Sequence, residues 1–121
     1  MAKKKWPKEV KPIVSDIYGV PLYATANTEL FEQMLEYLNL SGQIPTLGKG
    51  GLCALLEHPE SGDQMVVMWL SEKNHSYIAH ECLHATLYVA DTVGLDRNDD
   101  EALCYLHGFF VKKVTETLWP N

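Results

Sequence analysis

The chain has 121 residues, of which 46% are hydrophobic and 21% charged, and its formal net charge is −6. This length and hydrophobic fraction fit one packed domain and exclude a disordered chain. No apolar run is long enough for a membrane span, and none follows the basic N-terminus as in a secretory signal. Three widely spaced cysteines are typical of a reducing compartment, so we expect a cytoplasmic protein.

Charge divides the sequence into a basic beginning and an acidic remainder. Half of the ten basic residues are Lys3, Lys4, Lys5, Lys8 and Lys11, whereas residues from 13 onward carry five basic and fifteen acidic residues, a net charge of −10. We therefore predict a basic, flexible N-terminal arm over residues 1–12 and a single domain over residues 13–121. Phosphate contacts need clustered basic residues, so the sequence predicts no nucleic-acid partner; a contact made by the arm is the alternative.

The first half of the domain shows strand, helix and hairpin signals in turn. The segment Tyr18–Ala24 is rich in strand formers, although its proline favours an edge strand or a bend. Asn27 and Thr28 can cap a helix whose apolar residues recur at helical spacing, namely Leu30, Phe31, Met34, Leu35 and Leu38. Two further strand-like runs, Leu52–Glu57 and Met65–Leu70, flank a strong turn signal, which predicts a β-hairpin.

The second half of the domain reads as two helices. Asn74 or Ser76 can cap the first, and Gly94 is a natural end for it. The second begins near residues 98–100 and presents an apolar face. The order strand, helix, hairpin, helix, helix predicts a small α+β domain, in which a small antiparallel sheet or hairpin packs on the first of these two helices and two further helices complete the fold.

The chemically informative segment is His80-Glu81-Cys82-Leu83-His84 in the first of these helices. Residues four apart share one helix face, so two imidazoles here can bind one metal ion. The glutamate beside the first histidine is positioned to contact a water on the metal, as in H-E-x-x-H hydrolases. The helix is apolar nearly all round, so we expect it to be buried, with a metal ion as the partner of both histidines. The alternative is two core histidines bonded to backbone.

Zinc at a catalytic site usually takes a third protein ligand. Leu87 and Ala90 stand where the metzincin extension requires Gly and His, so that class is excluded. The remaining prediction is Glu101 on the last helix; alternatively, Glu101 closes a capping box with Asn98. Weaker alternatives on the same helix are Cys104 and His107.

Two tyrosines lie on the predicted metal face of the helix. Tyr77 precedes His80 by three residues and Tyr88 follows His84 by four. A phenol in either place can donate a hydrogen bond to the oxyanion that forms when a carbonyl is attacked. We therefore assign Tyr77 and Tyr88 to the catalytic site, while packing with the hydroxyl at the surface is the alternative for each.

The C-terminal half resembles the minimal gluzincin-type H-E-x-x-H zinc metallopeptidases, which include small phage and prophage proteins and ImmA/IrrE-like peptidase domains. The resemblance covers Tyr77–Ala85, the break at Gly94 and the segment Glu101–Leu106. It implies a minimal zincin-like fold, zinc bound by His80, His84 and Glu101, and Glu81 as catalytic base. It also implies a peptide or protein substrate that pairs along the strand before the active-site helix, here Met65–Leu70.

Three functions remain open from the sequence. The first is a zinc metallopeptidase of phage type, which hydrolyses a peptide bond with zinc-activated water. The second is a non-hydrolytic zinc-binding module on the same scaffold that acts through a protein partner, which the short chain favours. The third is a metal-free structural protein in which the motif is a coincidence. The sequence carries no signal of oligomeric state.

Overall fold

The protein is an α+β domain, as predicted. A computed structural model describes residues 5–15, 17–40 and 49–120. Its elements in chain order are β1 (Leu22–Thr25), α1 (Thr28–Tyr37), β2 (Gly51–Glu57), β3 (Gln64–Leu70), α2 (His75–Val93) and α3 (Asp100–Leu118). Neither long helix, nor any other helix in this part of the chain, combines the length and apolar character of a membrane span.

The sheet has three strands in the order β1-β3-β2. The predicted hairpin is confirmed, because β2 and β3 pair antiparallel from Gly51 opposite Leu70 to Glu57 opposite Gln64. β1 pairs with the other edge of β3 in parallel, so the sheet is mixed and the expectation of an antiparallel one is wrong. The prediction that Met65–Leu70 offers a free edge to a peptide is also wrong, since both its edges are paired. Among the described strands, β2 is an edge strand.

Alternate side chains of the central strand enter two separate cores. Val66, Met68 and Leu70 belong to the first core, which lies against α2 and α3. Met65, Val67 and Trp69 belong to the second core, which lies against α1. The sheet is therefore covered by helices on both faces, which explains why β3 is buried almost throughout its length.

Part of the predicted basic arm packs on the second core. Val10 is buried and belongs to that core, and Trp6 packs against it. The Trp6 indole N–H donates to the Val10 carbonyl oxygen at 3.0 Å, and the Gln33 amide of α1 donates to the Lys5 carbonyl oxygen at 3.2 Å. The packed part of the chain thus begins before residue 13. Residues 1–4 of the arm lie outside the described residues.

Candidate metal centre

Helix α2 carries the H-E-x-x-H segment and is bounded as the sequence predicts. The Asn74 side chain accepts a hydrogen bond from the backbone N–H of Tyr77 at 3.1 Å, which caps the N-terminus. At the other end Gly94 adopts the left-handed conformation with φ 76°, which ends the helix without steric cost. The motif therefore lies in a regular, well-terminated helix, and residues four apart share a face.

The helix brings three potential ligands together. One ligand atom each from His80, Glu81 and His84 lies within 4.8 Å of the other two. The two imidazole centroids are 4.9 Å apart, with ring planes at 77°. This donor set of two nitrogens and one carboxylate is typical of sites for zinc and similar divalent transition metals. In the part of the chain that the structure describes, no other group of three such side chains is as close.

The burial of these residues differs from the prediction. His80 and His84 are exposed, and Leu83 between them is 47% exposed. The helix is therefore not buried all round: one side packs in the first core through Ile78, Cys82, Ala85 and Val89, and the other faces solvent. The argument that buried histidines need a metal partner fails for this reason. Exposure instead leaves both imidazoles accessible to an ion from solution.

Glu81 is the buried member of the group, with 7% of its surface exposed. It packs on Gly51 of β2, where a Cβ atom would come within 2.6 Å of the Glu81 Cγ. Among the described residues, no hydrogen-bond donor to the Glu81 carboxylate is found. Burial raises the pKa of this carboxyl, an effect that His80 and His84 partly oppose. Its oxygens are not among the fully buried polar atoms of the described residues, so the carboxylate remains open to a bound cation or a water.

Two thiols, the buried one of Cys82 and the half-buried one of Cys53, lie near enough to Glu81 to interact with its charge. Burial raises the pKa of Cys82 to about 12, and the nearby Glu81 carboxylate adds to the shift. Burial and Glu81 likewise raise the pKa of Cys53 on β2. Both thiols stay protonated at neutral pH, so neither acts as a thiolate ligand or nucleophile in the metal-free protein. Sequence analysis missed Cys53 and Gly51 because contacts between β2 and α2 are not local, although a glycine at a strand start does signal close approach.

The two predicted tyrosines are half-buried on α2. The ring of Tyr88 stacks on that of His84, with centroids 6.2 Å apart and planes at 20°. His80, His84 and Tyr88 therefore form a column of rings along one face of the helix. Tyr77 lies in the first turn and packs against the first core. Tyr88 is thus in contact with the three-residue group, whereas no ring contact joins Tyr77 to it in the described structure.

Glu101 lies in the first turn of α3 and is exposed. It is not part of the group formed by His80, Glu81 and His84. The cap of α3 is Asp99, whose carboxylate accepts from the Ala102 backbone N–H at 3.1 Å, so the predicted capping box between Asn98 and Glu101 does not form. Glu101 is left without a capping function.

The two weaker alternatives on α3 also lie outside the group. The His107 Nε2 forms a hydrogen bond with the Ala79 carbonyl oxygen at 3.1 Å, which ties α3 to the start of the motif. Cys104 is exposed on the same helix. His107 therefore has a structural partner on α2 instead of a metal-binding arrangement.

Comparisons with protein-family models, with curated proteins and with solved structures find no match for this chain. The functional interpretation consequently rests on the arrangement of the side chains. Its central observation is a pair of accessible imidazoles beside the carboxylate of a largely buried glutamate.

Proposed function

We propose that this protein is a zinc-dependent metallopeptidase in which His80 and His84 bind the metal and Glu81 is the general base. The observation that carries the proposal is the convergence of the three side chains within 4.8 Å, with only Glu81 buried. A glutamate that served only solubility would lie on the exposed face with the histidines. Burial against Gly51 instead holds its carboxylate in one place beside them.

A bound zinc ion supplies the Lewis acidity that activates a water molecule and polarises the substrate carbonyl. Glu81 accepts a proton from the attacking water and then delivers it to the leaving amine. The raised pKa of Glu81, caused mainly by burial, suits a group that must both accept and return a proton near neutral pH. Tyr88, stacked on His84, is the better placed of the two tyrosines to donate a hydrogen bond to the developing oxyanion.

Among the described strands β2 pairs on one side only, and its other edge supports an extended peptide as the substrate. Gly51 at the start of β2 contacts Glu81, so this edge runs beside the metal-binding group. Backbone groups on the side of β2 that faces no other described strand can pair with a substrate strand, which would then run along the sheet past the histidines. The strand that the sequence analysis chose for this function, β3, is paired on both sides, and β2 takes its place.

Metal content of protein purified without added metal tests the site directly. We expect about one zinc per chain by mass spectrometry, lost in His84→Ala and kept in His75→Ala. His75 is a matched control because it is exposed on the same helix but outside the three-residue group. Wild-type protein that stays metal-free after zinc is offered would overturn the proposal.

Hydrolysis separates a peptidase from a zinc-binding module. Glu81→Gln should keep its zinc and lose cleavage of unfolded casein or a mixed peptide pool by at least about 100-fold. Glu72→Gln, an exposed glutamate in the segment before α2, should cleave like wild type. If the zinc-loaded wild type cleaves no peptide, the peptidase function is wrong and the non-hydrolytic zinc-binding module is supported.

Substitutions of two neighbouring acidic residues in the first turn of α3, Asp100 and Glu101, test the identity of the third zinc ligand. We propose Glu101 as the third ligand although it lies outside the group of His80, Glu81 and His84, so Glu101→Ala should weaken zinc binding by at least about tenfold, whereas Asp100→Ala should leave it unchanged. Both side chains are exposed acids in the same turn, so a general change in charge affects them alike. Equal zinc affinity in the two variants would remove Glu101 from the ligand set.

A further inference from the structure

A pocket lies on the face of the sheet opposite to the one that packs on α2, and it is independent of the proposed peptidase site. It has a volume of about 280 Å³, which is at the small end of the range for ligand pockets. The side chains that give it its chemistry are Trp6, Tyr23, Tyr37, His58, Lys8 and Lys11. They come from the N-terminal segment, β1, α1 and the hairpin turn, so the folded chain assembles the pocket from four separate regions.

Aromatic rings form the walls of this pocket. The Trp6 centroid lies 4.7 Å from that of Tyr23 and 5.6 Å from that of Tyr37, with interplanar angles of 66° and 82°. The hydrogen bond from the Trp6 indole to Val10 holds the ring in this orientation. Rings fixed at steep angles to one another form a corner with apolar walls, which suits a flat group better than a flexible aliphatic chain.

The hydrogen bonds of His58 leave the Tyr37 hydroxyl able to donate a hydrogen bond into the pocket. Its Nδ1 accepts the backbone N–H groups of Glu60 and Ser61 at 3.2 and 3.4 Å, so the proton of the neutral ring is on Nε2. Nε2 therefore donates to the Tyr37 hydroxyl oxygen, 3.1 Å away. The hydroxyl hydrogen of Tyr37 is not used in this bond, and it remains able to donate to a ligand.

The remaining polar groups of the pocket are also donors at neutral pH. Lys8 and Lys11 bring two positive charges, and none of the lining residues is acidic. Burial and the neighbouring Tyr37 raise the pKa of Tyr23, so its phenol stays protonated. In a chain of net charge −6, such a positive pocket attracts anions and the rest of the surface repels them.

We propose that this pocket binds a free nucleotide, whose planar base lies against the Trp6, Tyr23 and Tyr37 rings and whose phosphate meets Lys8, Lys11 and the Tyr37 hydroxyl. The aromatic walls by themselves would accept any apolar group, and the lysines by themselves would accept any anion. Their combination selects a flat aromatic group that carries a negative charge. A nucleotide at the end of a nucleic-acid strand shares this chemistry, but the acidic remainder of the chain disfavours a long polyanion.

Calorimetry and NMR titration of the full-length protein test the proposal with four probes. Adenosine monophosphate should bind with a dissociation constant below about 1 mM and shift the indole N–H resonance of Trp6, which is assigned by its absence in Trp6→Phe. Adenosine and inorganic phosphate should each bind at least about tenfold more weakly. A 5′-phosphorylated tetranucleotide should bind no more tightly than the mononucleotide. Tighter binding of the tetranucleotide would overturn the assignment to a free nucleotide.

Paired variants test whether Lys8, Lys11 and Tyr37 recognise the phosphate of the ligand. Lys8→Gln with Lys11→Gln, and separately Tyr37→Phe, should weaken binding of the monophosphate about tenfold and leave adenosine binding unchanged. Lys112→Gln with Lys113→Gln removes two exposed charges from α3 and should have no effect. An equal loss in this control pair, or adenosine binding as tightly as the monophosphate, would overturn the proposal. Zinc content should be unchanged throughout, so this test does not depend on the metal site.

Discussion

The two faces of the sheet each hold a polar side chain among apolar neighbours, but the two groups differ in charge and only the Trp69 N–H is fully buried without a partner. On the first face it is the carboxylate of Glu81, next to His80 and His84. On the second face it is the indole N–H of Trp69, which has no hydrogen-bond acceptor within the described structure. A neutral N–H costs a modest amount of stability when it is left unpaired, whereas an ionised carboxylate costs far more.

Under the proposed function, this difference marks where the fold gives up stability for chemistry. The Trp69 indole is a large apolar group that stabilises the second core despite its unpaired N–H. Glu81 contributes little to the first core and would be replaced by an apolar side chain if packing alone mattered. In the aromatic pocket on the second face, by contrast, polar side chains have partners, since Tyr37 and His58 are hydrogen-bonded to each other. Of the four predictions below, the first tests how independent the two faces are, the next two test the setting of Glu81, and the last tests a surface contact for contrast.

The largest effects are expected from one phenylalanine in each core. Phe110 and Phe31 are both fully buried, the first in the first core and the second in the second core. Phe110→Ala and Phe31→Ala should each lower the free energy of unfolding by about 3–5 kcal/mol, measured by urea denaturation of the metal-free protein. Only Phe110→Ala should also weaken zinc binding, because α3 and α2 share its core. Equal loss of zinc affinity in both variants would contradict the independence of the faces.

A smaller effect is expected where β2 meets the motif. In Gly51→Ala the new Cβ would lie 2.6 Å from the Glu81 Cγ and 2.9 Å from the Trp69 carbonyl oxygen. The backbone of β3 cannot move away, so we expect a loss of about 1–3 kcal/mol in unfolding free energy, together with displacement of Glu81 and loss of hydrolysis.

The matched control for this change is Gly108→Ala. Gly108 is exposed within α3, and a Cβ there meets nothing within 4 Å. This variant should gain about 0.5–1 kcal/mol from helix propensity and keep full activity. If Gly51→Ala is as stable and as active as wild type, the packing of Glu81 on β2 is not a requirement of the site.

The pH dependence of the metal-free protein reports the burial of Glu81. Because its pKa is raised in the folded state, the protonated form is favoured by folding. The associated stability is present below the unfolded-state pKa of about 4.3 and is lost as pH rises through the folded-state value. Glu81→Gln should remove this decline and make the metal-free protein more stable than wild type at pH 7. If the stability of Glu81→Gln fell more steeply with rising pH than that of wild type, burial of Glu81 would not be the cause of the decline and the interpretation would be refuted.

The smallest effect is expected at the surface of the α2–α3 connection. Arg97 binds both carboxylate oxygens of Asp91, with N–O distances of 3.0 and 2.7 Å, and lowers the pKa of Asp91. Both side chains are more than half exposed, so the pair contributes little. Its contribution is present above the unfolded-state pKa and is lost as pH falls through the folded-state value. Asp91→Asn should lower the melting temperature slightly at pH 7 and not at pH 2. A large fall in melting temperature at pH 7 would show instead that the ion pair in this connection is essential for the packing of α2 on α3.

Local signals in the sequence were sufficient to predict the helices and the hairpin. Asn74 and Gly94 bound α2 because capping and left-handed backbone are properties of single residues. The turn between β2 and β3 was predicted in the same way. The proximity of His80 and His84 also follows from helix periodicity, whereas the burial of Glu81 against β2 does not.

Features that depend on distant contacts could not be predicted. Helical spacing does not say which side of α2 meets the sheet, so the exposure of His80 and His84 was missed. The lysines around Trp6 and Val10 suggested a solvated arm, although these two apolar residues join the second core. The parallel pairing of β1 with β3 was missed for the same reason, because no local signal identifies a strand partner across an intervening hairpin strand and helix.

The position of β1 beside β3 also sets an order of events during synthesis. Leu22–Thr25 is made before α1 and β2, yet its partner in the sheet is Val66–Trp69. At typical translation rates of about 5–20 residues per second, the first strand waits on the order of 2–10 s for that partner. The hairpin and α2, whose contacts are closer in sequence, can assemble as they leave the ribosome. The first strand must therefore stay unpaired until Val66–Trp69 has been made, and during that time its apolar side chains are open to a chaperone.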